Sequence, residues 1–169
     1  MSDAVSLTEH ACTRHHGIPN LEGAQMSVRR LLKGKGSFVP VIRSHLSLND
    51  VINQLDIDKV GALVVSDDNI RILGIITEHD IARGLKNYGR DVVDKPLREL
   101  MTRDVISVDI DESLTTVLGL MDQHQIHYVP VIESGSLAGI INMLDLVKYR
   151  LSEIEMEATA LKDYVAGRA

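Results

Sequence analysis

Gly74-Ile75-Ile76-Thr77-Glu78-His79-Asp80-Ile81 is the stretch that decides the fold of this chain. The glycine and the two isoleucines are typical of a buried strand, and Thr77-x-x-Asp80 then opens a segment with helical apolar spacing. Thr77 is therefore predicted to be a helix N-cap, with Asp80 as the third helical residue of a capping box. A strand that enters a helix also presents unpaired N–H groups, which suit a phosphate, and a carboxylate one turn inside could accept both hydroxyls of a ribose. The stretch alone leaves a structural cap and a ligand site both open.

The same pattern recurs later in the chain. The stretch that begins at Gly74 has a counterpart that begins at Gly139, 65 positions further on, and six upstream positions recur after 66. Those six are Val41, Ile42, Ser47, Leu48, Val51 and Leu55, matched by Ser107, Val108, Ser113, Leu114, Val117 and Met121. The difference of one residue falls in a polar turn, where loop length varies most freely. A repeat of this length that occurs twice predicts two units that complete each other.

Each unit is predicted to have the element order β-α-β-β-α. The predicted strands are Val39–Ile42, Ala62–Val65 and Ile72–Ile76 in the first unit, and Val105–Val108, Tyr128–Ile132 and Leu137–Ile141 in the second. The predicted helices are Leu48–Leu55 and Glu78–Lys86, then Leu114–Met121 and a helix from Met143 onward. The short polar turns favour antiparallel hairpins. Because helices cover only one face of each small sheet, we expect an α+β fold in which two sheets face each other about a pseudo-two-fold axis.

Composition limits the class of protein. Of the 169 residues, 44% are hydrophobic and 25% are charged, which is usual for a soluble globular protein. The net charge of −6 argues against nucleic acid as a partner, because binding phosphates requires a basic surface. One cysteine, Cys12, excludes an internal disulfide and fits a reducing compartment. No apolar run reaches the ~20 residues of a membrane span, so we expect a cytoplasmic protein that does not enter the membrane.

Two segments precede the repeat. Residues 1–23 show no period and are predicted to form a mobile arm. Within this arm, His10-x-Cys12 and His15-His16 lack the spacing of a structural zinc site, so no metal is expected. Residues 24–36 are predicted to contain a short helix, Ala24–Lys33, that stops at Gly34 and leads into a flexible turn.

Residues 151–169 are predicted to form a C-terminal helical extension. An apolar stripe with spacings of three and four runs along it, formed by Leu151, Ile154, Ala158, Leu161 and Val165. The stripe can pack either on the same chain or against a second subunit. Because the stripe continues beyond the repeat, packing against a second subunit is favoured.

Several strings in the repeat resemble a pair of cystathionine-β-synthase (CBS) domains, the tandem arrangement called a Bateman module. The strings are Thr77-Glu78-His79-Asp80-Ile81-Ala82-Arg83, Leu97-Arg98-Glu99-Leu100-Met101-Thr102, His127-Tyr128-Val129-Pro130-Val131 and Asp145-Leu146-Val147-Lys148. The second string resembles the family's connector between repeats. The likeness covers roughly residues 38–150 and is closest to small bacterial stand-alone CBS-pair proteins. It implies a first repeat at 37–97 and a second at 98–150.

The resemblance also implies a function. It indicates a sensor of an adenosine nucleotide, AMP or NAD(H), that forms a homodimer and regulates a separate protein which the sequence does not name. By the family pattern, the site residues are Thr77 and Asp80 for the ribose, Val41, Gly61 and Ala62 beside the adenine, and His79, Arg83, Arg90 and His127 for phosphate. Arg83 could equally form an ion pair with Asp80, three positions away on one helix face. His79 and Arg90 could instead face solvent.

The second repeat departs from the family pattern. Asn142 stands where the pattern has Thr or Ser, although Asp145 is kept. Asparagine is a good N-cap, so the helix start survives while the hydroxyl contact is lost. Gln125 and His127 stand where relatives often carry arginine, and histidine is only partly charged near neutral pH. We therefore expect the second site to be empty, weaker or selective for another nucleotide.

Three functions compete. The first is the nucleotide-binding regulatory module, in which a 2′-phosphate opposite Asp80 would be repelled, so that NADP(H) is disfavoured. The second is an enzyme that acts on a nucleotide. Against it, the sequence has no Ser/His/Asp or Cys/His string placed for nucleophilic catalysis, and Thr77 and Asp80 are engaged in the helix cap. The third is a structural or interaction scaffold that binds no ligand.

Overall fold

The computed structural model describes residues 27–36 and 38–167 of the chain. In chain order, its elements are α1 (Val28–Lys35), β1 (Val41–Ile42), α2 (Leu48–Asp58), β2 (Ala62–Val65), β3 (Gly74–Thr77), α3 (Glu78–Tyr88), a 3₁₀ helix (Gly89–Asp94), α4 (Leu97–Leu100), β4 (Val108–Asp109), α5 (Leu114–His124), β5 (Tyr128–Glu133), β6 (Ser136–Asn142) and α6 (Met143–Val165). The fold is α+β and contains the β-α-β-β-α unit twice, as the sequence predicts.

The two sheets have the same topology. In the order β1-β2-β3, the first pair is parallel and the second antiparallel, with Val41 opposite Val64 and Ala62 opposite Thr77. The order β4-β5-β6 repeats this arrangement, with Val108 opposite Val131. Both predicted hairpins are confirmed. The shared topology relates the two units by a pseudo-two-fold axis.

The sheets face each other across an apolar layer. Ala62, Val64 and Ile75 of the first repeat form one buried cluster with Ile140 of the second. Tyr128 and Leu137 pack against this cluster from the second repeat. The backbone N–H of Leu137 also donates to the carbonyl of Ile70 at 3.0 Å, which ties the two hairpins together. Residues from both repeats therefore line the space between the sheets.

The segments that precede the two repeats help to complete the cores. Val28 and Leu31 of α1 are buried in the core of the second repeat, and the N–H of Val28 donates to the carbonyl of Glu112 at 3.0 Å. The predicted connector folds into α4, whose Leu97 and Leu100 are buried in the core of the first repeat. Burying these side chains stabilises each repeat through a segment outside its own β-α-β-β-α unit.

The bounds of α1 differ from the prediction. The helix runs through Gly34 to Lys35, and Gly36 follows it with a positive φ of 90°. Gly34 is tolerated inside the helix because burial of Val28 and Leu31 fixes its position. The stop is therefore two residues later than predicted. The predicted arm at 1–23, with His10, Cys12, His15 and His16, lies outside the described residues, as do residues 24–26.

Most strand and helix bounds shift by a few residues. The parallel strands are shorter than predicted: β1 begins at Val41 and β4 at Val108, and the N–H of Val105 instead donates to the carbonyl of Arg103. The strand predicted from Ile72 begins at Gly74, because Asp68 tightens the preceding loop by accepting two backbone N–H groups. α3 extends to Tyr88, and Arg90 belongs to the 3₁₀ helix, where the sequence predicted a loop.

The C-terminal helix α6 is 23 residues long. Its start packs on the second repeat through Leu146, whereas nearly all side chains from Leu151 to Val165 are exposed. The stripe on the extension therefore does not pack on the described part of its own chain. Within the described residues, no helix combines the length and the apolar character needed to cross a membrane.

Candidate functional site

The junction between β3 and α3 carries a complete capping box. The Thr77 hydroxyl oxygen accepts a hydrogen bond from the Asp80 N–H at 3.2 Å. Asp80 Oδ2 in turn accepts from the Thr77 N–H at 2.9 Å and from the Thr77 hydroxyl at 2.7 Å. The predicted N-cap and third helical residue are thus confirmed. The strand fixes the threonine and the helix fixes the aspartate, so the pair is held in one orientation.

The other oxygen of Asp80 is also engaged. Arg83 forms a short ion pair with Oδ1, and the Thr102 hydroxyl donates to the same atom at 3.2 Å. Asp80 is 3% exposed, whereas the side chain of Arg83 is 49% exposed. Several donors surround this buried carboxylate, and charge-assisted hydrogen bonds are stronger than neutral ones. The intrahelical ion pair considered for Arg83 is therefore present. Any ribose bound here must share or replace the donors on Oδ1.

Gly61 and Ala62 lie directly beside this junction. Ala62 pairs with Thr77 across the antiparallel hairpin, and the Glu78 N–H donates to the carbonyl of Gly61 at 3.1 Å. A Cβ added to Gly61 would lie 2.1 Å from the hydroxyl oxygen of Tyr128 and 3.2 Å from Glu78 Oε2. Two of the three residues predicted to flank adenine are thus next to the predicted ribose-binding pair, Thr77 and Asp80.

Tyr128 also lies at the first junction, beside Gly61, and the sequence did not predict this contact. It comes from the second repeat, and its ring reaches the first-repeat junction across the space between the sheets. Burial raises the pKa of its phenol, with a further contribution from the nearby negative charge of Glu78. In the sequence, Tyr128 stands out only as a member of the His127–Val131 string. That string gave no sign of contact with Gly61, because the contact depends on how the two repeats pack.

Val41 lies elsewhere. It pairs with Val64, two rungs along the sheet from Thr77, and lines a cavity of about 340 Å³. The cavity is lined by Phe38, Val39, Val41, Gln54, Asp58, Asn69 and Leu137. Neither Thr77 nor Asp80 lines it. The structure therefore does not bring Val41 together with Thr77 and Asp80 as it does Gly61 and Ala62.

The remaining phosphate candidates are dispersed. His79 is exposed in the first turn of α3, beside Asp80. Arg90 is exposed in the 3₁₀ helix that follows the other end of α3. His127 is exposed at the second junction, where its carbonyl accepts from the Met143 N–H at 3.1 Å. His79 and Arg83 are thus the two candidates located at the first junction itself.

The second junction has the same cap but a different neighbour. Asn142 Oδ1 accepts from the Asp145 N–H at 2.8 Å, and Asp145 Oδ2 accepts from the Asn142 N–H at 3.0 Å. Lys35, at the end of α1, places its ammonium 2.6 Å from Asp145 Oδ2 and 3.0 Å from the carbonyl oxygen of Ile140. Leu32 of the same helix contacts Gly139, where a Cβ would lie 2.8 Å from a leucine methyl. The chain's own cation thus neutralises the aspartate of the second junction.

The first junction offers groups that suit the binding of a ligand. Within residues 27–36 and 38–167, no group of three or more His, Cys, Asp and Glu side chains is placed to hold a metal ion. Thr77 and Asp80 are in contact, but both are used in the helix cap. The exposed helix N-terminus, a buried carboxylate and a nearby arginine offer donors and acceptors for a sugar and an anion.

Comparison with known proteins identifies the family. The family model described as CBS domain matches residues 37–87 and 97–152, one match for each repeat. The chain is a member of the CBS-domain family and contains a CBS domain pair. A CBS domain pair is a regulatory module, and the family resemblance recognised in the sequence is confirmed.

Individual relatives support this assignment. The chain is 33% identical over 120 residues to an uncharacterised 17.7 kDa protein of Acidianus ambivalens, covering 70% of this chain and 71% of that protein. Other curated relatives are longer, and the chain spans 25% of one and 36% of another.

Solved structures give the same fold. A CBS-domain-containing protein from Agrobacterium tumefaciens is 31% identical, with a TM-score of 0.69 over 73% of this chain and 98% of that one. The CBS domain pair of protein MJ0100, solved in complex with 5′-methylthioadenosine and S-adenosyl-L-methionine, is 27% identical, with a TM-score of 0.66 over 76% of this chain and 98% of that one.

Proposed function

We propose that this chain is a regulatory module that binds an adenosine nucleotide, AMP or NAD(H), at the first-repeat junction and thereby modulates a partner protein. The observation that carries the proposal is the pre-oriented pair of Thr77 and the buried Asp80, beside Gly61. Adenosine ligands are bound by the related CBS pair of MJ0100. The module works in the cytoplasm as a homodimer, and its role is to bind a nucleotide without acting on it.

A ligand-dependent change can begin at Thr102. This residue donates its hydroxyl to Asp80 and exchanges two backbone hydrogen bonds of 2.9 Å with Ile75 of β3. Ribose hydroxyls on Asp80 would compete with Thr102 and Arg83 for Oδ1. Because Thr102 follows α4, nucleotide binding would favour a different position of the connector between the repeats. Such a shift requires the ligand to bind the two positions with different affinity.

The competing function is a scaffold that binds no nucleotide. It is favoured by one observation: Arg83 and Thr102 already satisfy the carboxylate oxygen that a ribose would use. In that case Asp80 only holds α3 and the connector in place. Titration of nucleotides into suitable variants separates the two functions.

The decisive variant is Asp80→Asn, which keeps one acceptor oxygen but removes the charge. Asp50→Asn is its matched control, because Asp50 forms the same capping box with Ser47 on α2, accepting from the Ser47 N–H at 2.9 Å and the Ser47 hydroxyl at 2.6 Å. By calorimetric titration we expect micromolar binding of AMP or NADH at one site per chain in the native protein and in Asp50→Asn. In Asp80→Asn we expect affinity to fall at least tenfold, which corresponds to about 1.4 kcal/mol.

Three outcomes would contradict the proposal. Absence of binding by both nucleotides to the native protein would leave the scaffold function. Equal weakening in Asp50→Asn and Asp80→Asn would assign the effect to loss of a helix cap rather than loss of a ligand contact. Tight binding of NADPH would also count against a ribose held by Asp80, because a 2′-phosphate would face that carboxylate.

A further inference from the structure

The final helix α6 extends beyond the rest of the described chain. Its first turns pack on the second repeat through Leu146 and Tyr149. From Leu151 to Val165, every side chain except that of Glu153 is exposed. At 1.5 Å per residue, these fifteen residues extend about 22 Å. A helical segment of this length is marginal in water on its own.

An apolar stripe runs the full length of α6 on the side away from the repeats. Its members are Leu144, Val147, Leu151, Ile154, Ala158, Leu161 and Val165, and we call them the α6 stripe. The spacings alternate between three and four, which is the a and d pattern of a coiled coil over three heptads. The large members are 46–78% exposed. The stripe begins where α6 still contacts its own repeat on the opposite side, so it is a continuous outward surface.

We propose that the α6 stripe pairs with the α6 stripe of a second copy of this chain in a parallel, in-register two-stranded coiled coil. The two copies would meet first at Leu144, beside the second junction, and remain paired to Val165. Each packed repeat then lies on the outer side of its own helix. This pairing specifies the surface of the homodimer, and it does not depend on whether a nucleotide binds.

Charges beside the stripe match this arrangement. In a parallel coiled coil, each g position faces the e position of the next heptad in the partner. Arg150 then faces Glu155 of the second copy, and Glu157 faces Lys162 of the second copy. Both pairs have opposite charges, and the two-fold symmetry makes each pair twice. Arg150 also contacts Glu153 of its own helix at 3.4 Å, and its side chain is 64% exposed, so it lies at the edge of the seam.

The antiparallel alternatives fit less well. The antiparallel alignment that keeps Val165 in the seam places Glu155 opposite Glu155 and Lys148 opposite Lys162 of the second copy. Like charges that face each other across a helix pair are destabilising. The antiparallel alignment with matched charges pairs Leu144 with Leu161, which leaves the last turn and Val165 uncovered. The parallel alignment alone covers the whole stripe with opposite charges at its edges.

The experiment compares two pairs of matched variants by sedimentation equilibrium of the full chain. Leu161→Glu lies on the stripe, and Met156→Glu places the same charge on the opposite side of the helix, at a position that is 63% exposed. Ala158→Leu fills the narrowest point of the stripe, whereas Ala160→Leu adds the same side chain away from it. We expect Leu161→Glu to raise the dimer dissociation constant at least a hundredfold and Ala158→Leu to lower it about tenfold. Both controls should match the native chain.

Orientation is tested by a single cysteine at Leu161 in a Cys12→Ser background. A parallel, in-register pair brings the two cysteines together, so mild oxidation should give a disulfide-linked dimer from Leu161→Cys alone. A native chain that remains monomeric, or a dimer that responds equally to Leu161→Glu and Met156→Glu, would overturn the proposal. A link that forms only when Leu144→Cys is also present would overturn the parallel orientation.

Discussion

Asp80 and Asp145 occupy the same position in two capping boxes, yet different groups balance their charges. Asp80 is neutralised from its own helix by Arg83 and receives a hydroxyl from the connector. Asp145 is neutralised by Lys35, which is 110 positions away in the sequence. An arginine on a solvent-facing turn can move aside for a ligand more easily than a lysine whose helix is packed into a core. This difference between Arg83 and Lys35 therefore favours the first junction as the proposed nucleotide site.

Another carboxylate, that of Asp68, predicts that the free energy of unfolding depends on pH. Asp68 accepts hydrogen bonds from the backbone N–H of Arg71 at 2.8 Å, the Arg71 guanidinium at 2.8 Å and the backbone N–H of Ile70 at 2.9 Å. These bonds hold the pKa of the Asp68 carboxyl well below its usual range. Because the folded pKa is lower than the unfolded value of about 3.9, the charged group stabilises the fold above that pH and loses this effect as the pH falls toward the folded pKa.

The test compares the stability of the native chain with that of Asp68→Asn as a function of pH. Their free energies of unfolding, measured in urea, should differ by a constant amount above about pH 5, and the difference should shrink as the pH falls below about 4. Asp104→Asn, at an exposed position in a loop, serves as the control for a general change of charge. A difference that stays constant between pH 7 and pH 3 would show that the charge of Asp68 does not hold this loop.

At the scale of elements, the sequence predicts what depends on local chemistry. The capping box at Thr77, the hairpin order and the repeat are confirmed because they follow from short spacings and apolar periods. The predicted end of α1 was wrong, and the sequence did not predict how the connector folds. Both depend on burial against distant residues. The contact of Tyr128 with Gly61 and the Lys35–Asp145 pair were missed for the same reason. Such contacts join parts of the chain that no sequence period relates.

Substitution of two glycines by alanine is expected to change the free energy of unfolding in opposite directions. A Cβ on Gly74 would lie 2.7 Å from the sulfur of Met101 and 2.9 Å from the backbone oxygen of Thr102, so Gly74→Ala should force the connector away from β3. We expect this variant to lower the free energy of unfolding by about 1–3 kcal/mol, the usual cost of overpacking. Gly119, in the middle of α5, has nothing within 4 Å of an added Cβ. Gly119→Ala should therefore raise stability by about 0.5–1 kcal/mol.

Denaturant titration of both glycine variants checks this pair. Equal effects of the two substitutions would mean that the contact of the connector with β3 does not constrain Gly74. A loss of stability in Gly119→Ala would show that α5 has a close neighbour at that position in the assembled protein. This loss would also indicate that α5 contributes to the dimer surface, because Leu118, next to Gly119 in the sequence, is an exposed apolar residue.

At the scale of the whole molecule, each junction is contacted by a segment that precedes a repeat. Thr102, before the β-α-β-β-α unit of the second repeat, contacts the first junction, and Lys35, before that of the first repeat, contacts the second. The pairing is pseudo-symmetric: Thr102 bonds to Ile75 of β3, and Lys35 bonds to Ile140, the counterpart of Ile75 in β6. A change at either junction can therefore be transmitted to a connecting segment. The difference is that Lys35 supplies a full positive charge, whereas Thr102 supplies a neutral hydroxyl.

This asymmetry predicts that Lys35 keeps the second junction closed to nucleotides, given that the first junction binds one. Lys35→Met keeps an unbranched apolar side chain at this position but removes the ammonium from Asp145. The released carboxylate would then be open to ribose hydroxyls, and the calorimetric stoichiometry for AMP should rise from one site per chain to two. Lys33→Met, which removes an exposed charge from the same turn of α1, should leave the stoichiometry at one. A second site that is absent in Lys35→Met would assign the closure to Asn142 in place of a hydroxyl residue, and Asn142→Thr in the Lys35→Met background would then be required to open it.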